Sequence, residues 1–247
     1  MHRITRVQLF VTCLVDQFFP NVGLATAKVL ERLGLKVEVP DGLTCCGQPA
    51  FNGGFQDEAR RMARHTVDVL SRSDAPVVMP SGSCADMIVH RYPDLLSDDQ
   101  PYARRARDLA ARTYELSQFL VDVLGVTDLG ARSFLRVAYH PSCHTLRGLG
   151  VDRQPRELLR HVRGLDCLEL PDGATCCGFG GLFAIKMADI SGAMLQQKLD
   201  AIEQSDASVV VGTDVSCLMH IAGGLKRRSG SVTVKHLAEI LAGTEDT

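Results

Sequence analysis

Short apolar runs of strand length recur along the chain, and each is followed by a longer stretch in which apolar positions return every three or four residues. In the first half, runs at 7–11, 36–39 and 76–79 predict strands, and stretches at 22–33, 57–71 and 103–124 predict amphipathic helices. The second half predicts strands at 135–139, 165–170, 208–211 and 232–235, with helices at 155–162, 191–204 and 218–226. Strands alternating with helices belong to the α/β class, in which crossover helices cover a mostly parallel sheet. Loops past the carboxyl ends of such strands converge, so residues distant in sequence can meet there.

The pattern repeats. Residues 39–47 read VPDGLTCCG and residues 170–178 read LPDGATCCG, an offset of 131 with seven of nine positions identical. Cys13 answers to Cys143 at offset 130 and Cys84 to Cys217 at offset 133, each following an apolar run. The repeat predicts two pseudo-symmetric lobes, residues 1–128 and 129–247, divided at the turn-rich segment 125–133.

Nine cysteines in 247 residues make the redox compartment the next question. Residues 1–19 lack the long apolar region and small-residue cleavage site of a leader, which predicts a cytoplasmic protein with reduced thiols. No stretch approaches the roughly 18 apolar residues of a membrane span. A net charge of −2 argues against nucleic acid as a partner. Two of the cysteine pairs are adjacent in sequence, where a mutual disulfide would be strained, and nine is odd, so metal ligation is the better reading.

Eight cysteines form two sets, Cys13-x31-Cys45-Cys46-x37-Cys84 and Cys143-x32-Cys176-Cys177-x39-Cys217. Four converging thiolates suit zinc or an iron–sulfur cluster. Structural zinc usually takes two short Cys-x2-4-Cys knuckles, which neither set contains, whereas a cluster needs ligands spread over several loops. Gly47 and Gly178 follow the adjacent pairs and allow backbone amides close to sulfur. The spacing therefore favours iron–sulfur over zinc, and the expected cofactor is one or two 4Fe-4S clusters, with zinc in one site as the alternative. Cys167 stands outside the repeat on a predicted strand and is expected to be a buried structural thiol.

The segments TCCGQPAFN at 44–52, PSGSC at 80–84, PSCHTLRGLG at 141–150, CCGFGGLF at 176–183, ISGAML at 190–195 and CLMHI at 217–221 carry a resemblance over essentially the whole chain. The chain resembles the cysteine-rich CCG family, which includes a cysteine-rich component of heterodisulfide reductase and the iron–sulfur subunits of glycolate oxidase, and it is most similar to the lactate utilization branch. That resemblance implies an iron–sulfur electron-transfer subunit in oxidation of a 2-hydroxy acid, L-lactate in particular. The implied partners are a ferredoxin-like iron–sulfur subunit and other lactate utilization subunits. Such a subunit would be non-catalytic or co-catalytic in an oxidoreductase complex. One departure separates the chain from the heterodisulfide reductase branch, where each motif ends Cys-x-x-Cys: the last positions here are Met87 and His220. His220 is a candidate nitrogen ligand, as imidazole is in Rieske centres, whereas Met87 is expected in the core.

His140 and His144 flank Cys143 and can hydrogen-bond cluster sulfur, carry protons or satisfy loop carbonyls. Arg147 in the same loop can attract an anion or a partner carboxylate. Arg104, Arg105, Arg107 and Arg112 read as a solvated helix face. The glycines of GFGG do not follow a strand as a dinucleotide fingerprint requires, so no nicotinamide or flavin site is predicted. Two rival functions follow from the same residues: a thiol–disulfide reductase, and a zinc-binding scaffold subunit.

Overall fold

A computed structural model describes residues 4–243; the first three residues of the segment searched for a leader and the last four of the second half lie outside it. Eight strands form two four-stranded parallel sheets. The first contains β1 (Arg6–Leu9), β2 (Lys36–Glu38), β3 (Val77–Met79) and β4 (Thr113–Glu115) in the order β2-β1-β3-β4. The second contains β5 (Arg136–His140), β6 (Asp166–Leu168), β7 (Val209–Gly212) and β8 (Thr233–His236) in the order β6-β5-β7-β8. The two topologies are identical, as the repeat predicts. Inner strands β3 and β7 are buried at every residue because helices cover both faces, so they read as unbroken apolar runs. Edge strands β2 and β6 contain only half-buried and exposed residues.

Two expectations are corrected. The helix predicted over 103–124 is a helix at Gln100–Ala110, then β4, then helical turns at Leu116–Gln118 and Phe119–Val123. Leu109, Leu116 and Leu120 stay in helical phase across the break, which hides it from a periodicity reading. Glu115 makes the break: its carboxylate accepts from the backbone N–H of Ser117 at 2.8 Å and Gln118 at 3.2 Å, capping a new helix. Cys167 is exposed, not buried, because β6 is an edge strand with one open side. Met87 is fully buried, as expected.

The halves are interlocked. The terminal helix Leu237–Ala242 packs on Pro20–Arg32 of the first half, while the turns at Leu116–Val123 pack on Arg153–Arg160 of the second. One apolar core accordingly includes Val29, Leu30 and Phe119 together with Leu158, Leu159, Leu237 and Leu241. Arg32 reinforces the seam by donating to the carbonyls of Leu129, Leu241 and Ala242 at 2.9–3.2 Å.

Candidate functional site

All eight repeated cysteines line a single cavity of about 190 Å³ between the two sheets' carboxyl edges. Each arrives there for a local reason. Cys13 opens a short helix just past β1, and Cys143 follows β5 and leads into a wide helical turn at His144–Gly148. Cys84 lies on the helix Gly82–Asp86, capped by Ser81, whose Oγ accepts from the Cys84 N–H at 3.3 Å. Cys217 lies in the first turn of Val215–Arg227, capped by Asp214. Cys45-Cys46 and Cys176-Cys177 sit on turns that end at Gly47 (φ 85°) and Gly178 (φ 89°), a left-handed conformation natural to glycine. Tyr92 donates to the Cys46 carbonyl at 2.7 Å and steadies the first of these turns.

Within each set the thiols touch. Hydrogen bonds run from Cys13 to Cys45, between Cys45 and Cys46, and between Cys46 and Cys84. The second set repeats the chain through Cys143, Cys176, Cys177 and Cys217. Hydrogen bonds from Cys13, Cys46 and the Gly47 N–H draw the Cys45 thiol down to about 3, with desolvation opposing. Cys143, Cys177 and the Gly178 N–H, at 3.4 Å, do the same for Cys176, down to about 2. Cys13, Cys46, Cys143 and Cys177 are pushed up instead, first by the same thiol contacts and then by burial. Sulfurs this crowded resist carrying several negative charges without a cation. A thiophilic metal supplies the missing positive charge, so the donor set, its crowding and the amides aimed at sulfur fit a metal centre in each half.

Asp214, to which the cysteine pattern alone draws no attention, joins the two centres. Its Oδ2 accepts from the Ser83 N–H at 2.8 Å and from Ser81 Oγ at 3.1 Å across the seam, and its Oδ1 accepts from the Ser216 N–H at 3.1 Å. A single buried carboxylate thus holds the helix starts that present Cys84 and Cys217. A signal for it does exist in the sequence: Ser81 and Asp214 share offset 133, and each is a strong helix cap before a cysteine. His144 crosses the same seam, its Nδ1 lying 2.6 Å from the buried Asp86 carboxylate, and this hydrogen bond raises its pKa. Arg147 donates to the Ala174 carbonyl at 3.3 Å. Of the helix-face arginines, Arg104 pairs with Asp108 and Arg105 with Asp68, while Arg112 lies past the helix end, bonded to the Leu70 and Ala75 carbonyls.

The surroundings of the two sets differ. His220 stands beside Ser191, 3.4 Å away, and the Phe179 ring, and burial, followed by the charge of Arg227, pushes its pKa down against the charge of Cys176. His140 is buried, and a ring nitrogen lies with the sulfurs of Cys177 and Cys217 in a group whose atoms are all within 4.8 Å of one another. Burial, followed by the charge of Lys198, pushes His140 down to about 3 and keeps it neutral. The buried Lys198 donates to the carbonyls of Asp172 and Gly173 at 3.4 and 2.9 Å.

Close packing makes the second turn the less forgiving. A Cβ at Gly178 would lie 2.6 Å from the Ser191 carbonyl oxygen, whereas one at Gly34 (φ 79°) meets nothing within 4 Å. Gly34→Ala is expected to cost about 1 kcal/mol, from the left-handed backbone alone. Gly178→Ala is expected to cost about 1–3 kcal/mol more, because backbone must also move. Urea denaturation of both metal-free variants measures the difference, and equal losses would show the turn to be pliable.

The cysteine-rich domain family, CCG, matches residues 7–89 and 137–222, and each match contains one full set of four cysteines. The chain is 48% identical over 236 residues to lactate utilization protein A of Bacillus subtilis (strain 168), covering 96% of this chain and 98% of that one. The protein of the same name from Macrococcus caseolyticus is also 48% identical over 236 residues, covering 96% of each chain. Among solved structures, glutamate racemase RacE1 of Bacillus anthracis aligns over 98% of this chain and 79% of its own, at a TM-score of 0.35 and 14% identity, too distant to bear on fold or function. The paired matches and the full-length similarity place this chain in the cysteine-rich CCG family.

Proposed function

We propose that the chain is an iron–sulfur subunit that carries electrons withdrawn from L-lactate in a 2-hydroxy acid oxidation system. The observation that carries this reading is the convergence of two complete thiol sets on one cavity. Cysteine-held clusters move single electrons when bound, and lactate oxidation releases two electrons and two protons, so two centres side by side suit the stoichiometry. The chain's own residues do the holding: Gly47 and Gly178 amides direct N–H groups at sulfur, and Asp214 fixes the two helix starts in common register. The partner is a ferredoxin-like iron–sulfur subunit working with other lactate utilization subunits. Its docking face adjoins the second cysteine turn, where Ile185, Met187 and Ile190 are 76%, 53% and 54% exposed just beyond Cys176-Cys177.

The test is anaerobic reconstitution of the full chain with iron and sulfide. Wild type is expected to take up both, and Cys176→Ser to lose about half of the iron, since a serine oxygen is a poor substitute for a soft thiolate. Cys167→Ser, altering the exposed thiol of β6, should lose none. The loaded chain alone should not reduce an artificial acceptor with lactate. Zinc without sulfide in wild type would replace this reading with the scaffold one, and lactate turnover by the lone chain would make it the catalyst.

A further inference from the structure

We propose that His140 is a metal donor of the second centre, which makes that centre a mixed imidazole–thiolate site where the first is all-thiolate. The inference rests on the second thiol set being a metal centre and adds a ligand that the cysteine repeat does not contain.

Among the described residues neither ring nitrogen of His140 has a hydrogen-bond partner, although the residue is only 1% exposed. A buried imidazole left so carries the uncompensated desolvation of both nitrogens unless something at the site uses them. What lies nearest is sulfur: a His140 ring nitrogen and the Cys177 and Cys217 sulfurs fall within 4.8 Å of one another. Donors around one tetrahedral metal ion sit roughly 3.5–3.8 Å apart, given metal–sulfur and metal–nitrogen bonds near 2.3 and 2.0 Å. Small side-chain rotations close the difference. A neutral imidazole has the lone pair that coordination needs.

Position within the repeat explains why only one half has this donor. His140 ends β5 directly before the Cys143 loop, and its counterpart at offset 130 is Phe10, fully buried in the first half's core and without a donor atom. In β7 the residue paired with His140 is Gly212, which puts no side chain beside the ring. His220 occupies the position of the missing fifth cysteine, yet it stands with Ser191 and Phe179, and His140 is the imidazole that joins the Cys177–Cys217 group.

The experiment uses the full-length, metal-free protein carrying Cys45→Ser to disable the first set, titrated anaerobically with cobalt(II). The expected result is the intense visible bands of tetrahedral cobalt bound by thiolate and imidazole. His140→Phe, which installs the first half's residue, should weaken cobalt binding by at least about tenfold and move the bands. His140→Cys should restore tight binding with an all-thiolate spectrum, which separates loss of a ligand from loss of fold. In a second arm, pulsed paramagnetic resonance of the reduced, iron-loaded chain should show a nitrogen coupling of directly coordinated size that disappears in His140→Phe. Unchanged cobalt affinity and bands in His140→Phe, or a coupling no stronger than that of a hydrogen-bonded amide, overturns the proposal. Iron content of the same preparation keeps the two questions apart: a chain that takes no iron refutes the electron-transfer reading, and the cobalt arm still decides His140.

Discussion

Cut between residues 128 and 129 and produced separately, neither half is expected to fold, although each contains a complete four-stranded sheet. The reason is the exchange of terminal helices. Leu237, Ile240 and Leu241 bridge the halves, packing against the helix carrying Val29 and Leu30 as well as their own half, and Leu116, Phe119 and Leu120 pack beside Leu158 and Leu159. Burying a large apolar side chain contributes about 1.5–3 kcal/mol, so six of them contribute on the order of 10 kcal/mol. That equals the whole stability of an ordinary domain, about 5–15 kcal/mol. Each isolated half would also lose the bonds that Asp214 Oδ2 accepts across the seam from the Ser83 N–H and Ser81 Oγ. The separate pieces should show no cooperative thermal transition and should bind a hydrophobic dye. Co-production should restore a complex with one shared transition. A sharp unfolding transition from either half alone would show that the sheets, not the seam, hold the fold.

The contribution of Glu115 to stability is expected to fall as pH rises from about 4.5 to about 7, and Glu115→Gln to remove that component. Burial raises the Glu115 carboxyl from 4.5 to about 7, against the opposing hydrogen bonds from Ser117 and Gln118 and with help from nearby Asp214. One of its oxygens has no hydrogen-bond partner among the described residues. Because the folded-state value lies above the unfolded one, the folded protein holds the proton more tightly between them, and stability decreases with pH across that window. At 1.36 kcal/mol per unit, the full span corresponds to about 3 kcal/mol, constant above pH 7. A glutamine amide keeps an oxygen to accept from Ser117 and Gln118 and carries no charge at any pH. The difference in urea unfolding free energy between Glu115→Gln and wild type, followed from pH 4 to pH 8 on metal-free protein, should therefore move in the variant's favour as pH rises. A difference independent of pH would mean that Glu115 titrates over the same range in the folded and unfolded chain.

The chemistry of this protein is written locally and its context is not. Apolar runs bounded by turn residues specify strands, so seven of the eight strands and the repeat of topology are readable from pattern, and the offset of 131 marks which cysteines belong together. β4 is not readable in this way, because its break from the preceding helix rests on the Glu115 cap while the apolar spacing on either side stays in phase. The exposure of Cys167 is hidden for a different reason: apolar composition does not distinguish an inner strand from an edge one, whereas strand order does, and strand order is a property of the assembled sheet. The roles of Asp214 and His140 belong to the same class. Asp214 bonds Ser83 across 131 residues and His140 reaches Cys217 across 77, distances along the chain at which no periodicity carries information. Local pattern is enough for the α/β class, the duplication and the eight thiols. That both sets share one cavity, that helices of each half pack on the other and that the His140 imidazole lies with one set depend on which surfaces are buried against each other, and this is settled only when the chain folds.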